Sequence, residues 1–221
     1  MTTDHATPEA RRGAAARLFD ALGLEYERAY GRLPGQLAAL DWLAARLPER
    51  ARVLDVGSGT GRPTAERLAA AGCRVTGCDV SAVMVELARA RVPGAVFELA
   101  DVRELPDTPG QWDAVTAFFP LLQMPRADVE HTLDRIADWL APGGLFVLAT
   151  VPFDGEDAEV AWLDRRVRCT SFPAELYPKL LEAAGLDVVR VRSGVFRPDF
   201  PGAGEEEHLY LHAVKPGVPG S

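Results

Sequence analysis

Short apolar runs alternate with amphipathic stretches along most of the chain. The runs are nearly continuous, which is typical of strands that are covered on both faces. The stretches between them have helical spacing, as in 128–140, where Val129, Leu133 and Ile136 share one side. We therefore predict strands at 51–56, 74–80, 96–99, 112–118, 145–151, 188–191 and 209–214, and helices at 62–71, 81–91, 128–140 and 173–184.

This order of elements predicts an α/β fold. Strands that alternate with helices form mostly parallel sheets with helices on both faces. The connection between the last two strands, 192–207, is too short for a well-ordered helical crossover, so we expect these two strands to be antiparallel. The prediction is a doubly wound, seven-stranded, mostly parallel sheet with an antiparallel last strand.

The pattern also divides the chain. Residues 1–50 have helical spacing and no strand pattern, and we interpret them as an N-terminal helical cap or lid on a core at 51–215. Within the core, about 152–172, an acidic run followed by arginines breaks the alternation. We expect a loop or helical insertion there, above the carboxyl ends of the strands. Residues 216–221 are predicted to be a disordered tail.

Composition and charge narrow the function classes. The chain has 221 residues and a formal net charge of −8, without a long basic run, which argues against a nucleic-acid partner. It has no apolar run of the roughly 18 residues that a membrane-spanning helix needs. Cys73, Cys78 and Cys169 do not have the spacing of a metal site, so we expect no metal, reduced thiols and a cytoplasmic location.

A glycine-rich loop at the end of the first predicted strand carries the chemistry. Asp55 to Gly61 reads D-V-G-S-G-T-G, and Arg62 occupies the position where a dinucleotide fingerprint has its third glycine. No Lys-Ser or Lys-Thr follows, so a P-loop is also excluded. The Asp55 carboxylate would repel a pyrophosphate but would suit a ligand that presents an ammonium group.

Asp55, Asp79 and Asp101 fall at the carboxyl ends of three consecutive predicted strands. Each aspartate alone could simply cap a helix or a turn. Because open α/β sheets bind ligands at this edge, their shared position favours one ligand that contacts all three.

In these stretches the sequence resembles the class I S-adenosylmethionine-dependent methyltransferases. Asp55 to Gly61 matches their first motif, D/E-x-G-x-G-x-G, and G-C-D-V-S-A-V-M, E-L-A-D-V-R and the segment from W-D-A-V-T-A-F-F-P to A-P-G-G-L-F-V-L follow in the family's order. The resemblance covers about 50–215. It implies a Rossmann-like fold, S-adenosyl-L-methionine as cofactor and methyltransferase activity.

The resemblance also implies roles for individual residues. In the family, the residue at Asp79 holds both ribose hydroxyls, the residue at Asp101 hydrogen-bonds the adenine amino group beside the Val102 amide, and the residue at Met84 packs on the adenine. The cofactor-binding residues that it implies are Asp55, Gly57, Ser58, Gly59, Gly61, Asp79, Val80, Met84, Asp101, Val102 and Phe118.

The acceptor is expected to be a small organic molecule. The N/D-P-P-Y/F motif of adenine-N6 and glutamine methyltransferases is replaced here by Phe118-Phe119-Pro120-Leu121. This replacement argues against a nucleobase or an amide as the substrate. Gln123 is a candidate to orient the acceptor. Tyr26 and Tyr30 precede the first strand at the distance where similar enzymes keep a lid tyrosine. Tyr26, Tyr30 and Gln123 are the candidate catalytic residues.

We expect O-, N- or C-methylation by in-line displacement, with natural-product tailoring among the candidate roles. Because the sulfonium methyl is already activated, the reaction needs placement more than acid–base groups. The sequence favours none of the histidines as a general base. His131 falls on a polar helix face, and His208 and His212 are interpreted as edge or surface residues.

Several alternatives stay open. Phe118 and Phe119 could be core packing, and Tyr26 and Tyr30 could be half-buried cap residues. The arginines at 165, 166 and 168 could bind an anionic acceptor or form a solvated charged face. The alternative function is an S-adenosylmethionine-binding protein that does not methylate, either a regulatory partner or a cyclase or isomerase that reuses the fold.

Overall fold

The computed structural model describes residues 8–217 and contains one seven-stranded sheet and one two-stranded sheet. The strands are β1 (Arg52–Val56), β2 (Arg74–Asp79), β3 (Val96–Leu99), β4 (Trp112–Phe118), β5 (Leu140–Thr150), β6 (Gly155–Trp162), β7 (Arg165–Ser171), β8 (Asp187–Phe196) and β9 (Glu206–Val214). The large sheet has the order β3-β2-β1-β4-β5-β9-β8. β1 to β5 are parallel, and β9 is antiparallel to both β5 and β8. The predicted fold class is confirmed.

Helices cover both faces of this sheet. They are α1 (Pro8–Leu22), α2 (Leu24–Tyr30), α3 (Pro34–Ala44), α4 (Thr64–Ala70), α5 (Ala82–Arg91), α6 (Arg126–Trp139) and α7 (Leu176–Ala183). One core joins α3, α4 and α5 to side chains such as Val53 and Val75. The other joins α6 and α7 to Leu54 and Val115. Neighbours Val53 and Leu54 lie in opposite cores because successive strand side chains point to opposite faces.

The segments of the N-terminal block with helical spacing are helical. α1 is tied to the start of α5, where the Asp20 carboxylate accepts hydrogen bonds from the Ser81 hydroxyl (2.6 Å) and the Val83 amide (3.2 Å). The same hydroxyl caps α5 by accepting from the Met84 amide at 3.1 Å. This contact fixes the start of α5 directly after Asp79. The division of the chain into a cap and a core remains a prediction.

The insertion is a β-hairpin, so the expectation of a loop or helix is wrong. β6 and β7 pair antiparallel across the two residues Leu163 and Asp164, and Leu163 adopts a positive φ of 55°. Ala158, Val160 and Trp162 are half-buried on one side of β6, while Glu159 and Ala161 are exposed. This two-residue period was hidden by the acidic residues at the start of the hairpin.

The arginines of the hairpin pair with its own carboxylates. Arg166 contacts Glu159 (2.6 Å), Arg168 contacts Asp157 (2.8 Å) and Arg165 contacts Asp164 (3.3 Å). This pairing favours the interpretation of these arginines as part of a charged surface over that of an anion site.

Two predicted segments, the N-terminal cap and the C-terminal tail, are only partly described by the structure. Residues 1–7 and 218–221, which include most of the predicted tail, lie outside the described residues. Among the helices of residues 8–217, none has both the length and the apolar character that crossing a membrane would require.

Gly35→Ala is expected to lower the free energy of unfolding by about 1–3 kcal/mol, the usual cost of overpacking a core. A Cβ at Gly35 would lie 2.2 Å from the Tyr210 ring, which is buried where α3 packs on β9. Urea unfolding measures the change. Gly94→Ala is the matched control, because its Cβ would meet no atom within 4 Å. Equal losses in the two variants would contradict the packing argument.

Candidate active site

A cavity of about 300 Å³ opens at the carboxyl ends of the central strands. Its floor is formed by the ends of β1, β2 and β4, and its roof by α1, α2 and the β6–β7 hairpin. Open α/β sheets bind ligands at this edge. The candidate residues that line it are Tyr26, Tyr30, Gly57, Gly59, Asp79, Val80, Met84, Asp101, Val102, Phe118 and Gln123.

A smaller recess of about 40 Å³ adjoins the glycine loop and is lined by Asp55 and Ser58 together with Tyr26 and Tyr30. The structure therefore brings the candidate cofactor-binding residues other than Gly61, and the candidate catalytic residues, to the cavity and the recess beside it. Gly61 lines neither space. A Cβ on Gly61 would lie 3.0 Å from the Val92 side chain, so this glycine allows the loop to pack against the end of α5.

The glycine loop is held against β2. The Gly57 and Ser58 amides donate to the Cys78 carbonyl at 2.8 and 3.0 Å, and the Gly59 amide donates to the Asp79 carboxylate at 2.9 Å. Gly57, Gly59 and Gly61 have φ values of 67°, 52° and 79°, a region that glycine adopts without strain. A Cβ on Gly59 would meet no atom within 4 Å, so a ligand can approach this backbone directly.

Asp55 is buried with one carboxylate oxygen satisfied. Oδ1 accepts a hydrogen bond from the Thr116 hydroxyl at 2.7 Å, whereas Oδ2 has no hydrogen-bond partner among the described residues. Burial raises the pKa of Asp55 to about 7; the Thr116 hydrogen bond opposes this shift and the nearby Asp79 adds to it. A buried oxygen without a partner is costly, and a positively charged donor would remove that cost.

Asp79 holds the loop and faces the cavity. Its carboxylate accepts from the amides of Gly59 and Ser81, both at 2.9 Å. Burial raises the pKa of Asp79, and the amide hydrogen bonds oppose the shift. Met84 is buried one turn into α5 and lines the same cavity.

Asp101 is part of an ionic cluster that the sequence did not indicate. Its carboxylate accepts two hydrogen bonds from the Arg103 guanidinium, at 2.6 and 3.0 Å, and Arg103 also donates to Asp128 at 2.5 Å. Such a two-point contact holds the carboxyl group in one orientation. The only signal for Arg103 is its position two residues after Asp101.

Aromatic rings form the roof. Tyr26 lies 5.1 Å from Tyr30 and 5.5 Å from Phe19 between ring centroids, and Trp162 of the hairpin stacks on Tyr30 at 5.9 Å. The Tyr30 hydroxyl donates to Glu206 and accepts from the Trp162 indole, both at 2.6 Å. Burial, followed by the Glu206 hydrogen bond, raises the pKa of Tyr30. Trp162 and Glu206 were not candidates from the sequence.

The chain is strained after β4. Phe118 is buried, while Phe119 adopts a left-handed conformation with φ 66°. Such backbone is uncommon for a bulky residue and is concentrated at functional sites. It turns the Phe119 ring toward His208, 4.7 Å between centroids, and starts the short turn Pro120–Gln123. Half-buried Gln123 lies on the cavity wall.

His208 and His212 are buried, so their interpretation as edge or surface residues is wrong. The sheet order places β9 between β5 and β8, so neither histidine lies on an edge strand. His212 packs on Trp42, and burial lowers its pKa to about 4. His208 lines the cavity, with its Nε2 3.0 Å from the Glu206 carboxylate. His131 is exposed, as expected.

Comparisons with known proteins agree with this geometry. Residues 53–144 match a family model described as a methyltransferase domain. The methyltransferase GfsG of Streptomyces halstedii is 33% identical over an alignment of 152 residues, and the match covers 63% of this chain and 54% of that protein. The chain spans about half the length of most of the curated relatives that it matches first.

Two solved structures share the whole fold. One is the Burkholderia thailandensis 1,6-didemethyltoxoflavin-N1-methyltransferase with bound 1,6-didemethyltoxoflavin and S-adenosylhomocysteine (TM-score 0.71, 26% identity, covering 98% of this chain and 93% of that one). The other is the [4+2]-cyclase SpnF (TM-score 0.71, 22% identity, covering 94% and 97%), whose likeness concerns the fold alone.

Asp55→Asn is expected to stabilise the ligand-free chain at pH 8 and to change it little near pH 4. The pKa of Asp55 rises from 3.8 to about 7 on folding, so its carboxyl group favours the folded state at low pH. That contribution is lost as the pH rises from about 4 to about 7, where the unfolded chain has released the proton and the folded chain still holds it, and the loss is complete above pH 7. A shift of about three units corresponds to a loss of up to about 4 kcal/mol.

Urea unfolding between pH 4 and pH 8 measures this difference. The exposed Asp187→Asn serves as the matched control and should keep the wild-type pH dependence. An Asp55→Asn variant with the same pH dependence as the wild type would refute the assignment of Asp55 as a buried carboxyl group with a raised pKa.

Proposed function

We propose that this chain, which carries a class I S-adenosylmethionine-dependent methyltransferase domain, transfers a methyl group to a small organic acceptor. The observation that carries the proposal is the pair of joined spaces at one sheet edge. One is a recess beside a buried carboxylate and open glycine backbone, and the other is an aromatic-walled cavity. The bound cofactor would supply a sulfonium methyl group that is already activated for displacement.

The residues of the recess fit this cofactor. The unpartnered Oδ2 of Asp55 suits an ammonium group, and Gly57, Ser58 and Gly59 offer backbone that a ligand can approach closely. These residues would hold the amino-acid end of the cofactor. Gly61 would contribute indirectly, by letting the loop pack on α5.

We assign the nucleoside end of the cofactor to the part of the large cavity that lies at the ends of β2 and β3. Asp79 would accept hydrogen bonds from the ribose hydroxyls, while Val80 and Met84 provide apolar surface for the adenine. Asp101, held in place by Arg103, and the Val102 amide would contact the adenine edge. Phe118 closes the space at the end of β4.

The acceptor would occupy the cavity beneath the aromatic roof. Phe119, Trp162 and the Tyr26–Tyr30 pair give it flat apolar walls, which suit a planar molecule. Gln123 is the polar side chain that we assign to orienting it. Because Tyr30 joins α2 to the hairpin and β9, we assign Tyr26 and Tyr30 to a lid that excludes water rather than to a proton transfer.

The cellular setting is part of the proposal. The net charge of −8 disfavours a nucleic-acid partner. Cys73, Cys78 and Cys169 are free thiols, and we assign the activity to the reducing cytoplasm. Tailoring of a natural product is a role that a small planar acceptor would fit, and the Burkholderia structure contains bound 1,6-didemethyltoxoflavin together with S-adenosylhomocysteine.

A protein of this fold that binds S-adenosylmethionine without methylating is the alternative, and the fold likeness to a cyclase supports keeping it. Turnover separates the two. The full chain is incubated with S-adenosylmethionine and a panel of phenols and heteroaromatic N–H compounds, and S-adenosylhomocysteine and methylated products are measured by mass spectrometry. We expect product with at least one acceptor. Cofactor binding without any product from the panel would favour the alternative.

Asp79→Asn is expected to weaken binding of S-adenosylhomocysteine by about 1.5–3 kcal/mol, the contribution of hydrogen bonds to a charged group. The negative charge would be lost as a ribose partner, and the new NH2 group would face either the Gly59 or the Ser81 amide, which now donates to a carboxylate oxygen. Calorimetry measures the affinity, with exposed Asp187→Asn as the control. Unchanged affinity would show that the end of β2 does not contact the nucleoside.

A further inference from the structure

A histidine–carboxylate pair lies in the wall of the cavity. His208 is 2% exposed, and its Nε2 lies 3.0 Å from Oε2 of Glu206. The other ring nitrogen, Nδ1, is buried and has no hydrogen-bond partner among the described residues. The other oxygen of Glu206 accepts from the Tyr30 hydroxyl at 2.6 Å, so the carboxylate is held from both sides.

This geometry selects one form of the neutral imidazole. A carboxylate can only accept, so the nitrogen that faces it must carry the hydrogen. Nε2–H then donates to Glu206, and Nδ1 keeps a free lone pair. The opposite tautomer would place a lone pair against the carboxylate and bury an N–H without an acceptor, which is the costlier arrangement.

The pair lies on the acceptor side of the sheet. β9 is separated from β4 by β5, on the side away from β2 and β3, where we assign the cofactor. The His208 ring contacts Phe119 at 4.7 Å and stacks on Phe196 at 5.7 Å between centroids. Phe119, which would form one wall of the acceptor space, therefore also packs against this imidazole.

The other ionisable groups near the pair are neutral around pH 7. Burial raises the pKa values of Tyr26, Tyr30 and Tyr210, and it raises the pKa of Cys169 to about 11, with Glu206 adding to the shift of Cys169. Glu206 is the carboxylate that contacts the His208 ring directly.

We propose that His208 is the general base of the transfer and that Glu206 is the residue that positions it. This inference rests on the proposed function and defines its acceptor class as molecules with an ionisable O–H or N–H, such as phenols, enols and heteroaromatic N–H compounds. A lone pair on the acceptor oxygen or nitrogen forms the bond to the methyl carbon. The carbon–sulfur bond breaks, and its electron pair stays on sulfur.

The acceptor's proton moves to Nδ1 of His208 in this step. The resulting imidazolium is stabilised by the Glu206 carboxylate, and the proton is later released to water. Acceptors that arrive without a proton on the nucleophilic atom need no such base.

The tautomer can be measured without an acceptor. Long-range 1H–15N spectra of histidine-labelled protein, saturated with S-adenosylhomocysteine, distinguish protonated from bare ring nitrogens. His208→Asn identifies the His208 signals among the four histidines of the chain. We expect hydrogen on Nε2 and a bare Nδ1 near pH 7.5. Hydrogen on Nδ1 would overturn the proposal.

Activity separates the roles of the two buried histidines. With a phenol that the wild type methylates, His208→Asn should lower kcat by at least about 100-fold, the usual lower bound for a general base. Its affinity for S-adenosylhomocysteine, measured by calorimetry, should be unchanged. His212→Asn, on the same strand but packed on Trp42, is the matched control and should retain the wild-type kcat.

Iodide serves as a methyl acceptor without a proton. His208→Asn should form iodomethane at the wild-type rate while losing phenol methylation. Wild-type phenol methylation in His208→Asn would overturn the proposal for His208. A wild type that methylates neither iodide nor any phenol would instead count against the proposed function, so the two failures are distinguishable.

Glu206→Gln tests the positioning role. Removal of the negative charge weakens His208 as a base, so the acid limb of the pH–rate profile should move to lower pH while KM for the phenol stays the same. A profile identical to that of the wild type would overturn the role of Glu206.

Discussion

The position of the glycine loop against β2 determines the arrangement of the site. Two amides converge on the Cys78 carbonyl and a third on the Asp79 carboxylate, so the loop has little freedom once β1 and β2 are paired. This places Asp55 at the end of a buried strand with Thr116 as its partner. The loop also sets where α4 begins, because Glu66 donates its amide to the Gly61 carbonyl at 3.0 Å.

A second point of organisation is the Tyr30 hydroxyl. It joins three segments that are far apart in the chain: α2 itself, the hairpin through Trp162, and β9 through Glu206. A group that both donates and accepts in a buried setting is sensitive to the loss of either partner. The roof and the acceptor wall are therefore coupled, because opening of the hairpin would remove the Trp162 donor from the hydroxyl that itself donates to Glu206.

The sequence was sufficient for the sheet, most helix positions and the glycine loop because those features depend on local patterns. Apolar runs, the Ser81 cap and the spacing of Gly57, Gly59 and Gly61 can all be read within a few residues. Trp162, Glu206 and His208 could not be found in this way. Their proximity is created by the hairpin and by the insertion of β9 between β5 and β8, which depend on the whole topology. Arg103 was missed for a different reason: the sequence does not specify that a side chain two residues after Asp101 turns back to pair with it.

The position of β9 also has a consequence for the order of folding. Within the described sheet, β8 is bonded only to β9, and β9 lies against β5, so β8 cannot join the sheet before β9 arrives. Until then β5 is an open edge that could pair with another chain. Contacts across long sequence separations form late and leave such edges exposed during synthesis. Because β9 carries both Glu206 and His208, the acceptor wall is completed only when this aggregation-prone edge is closed.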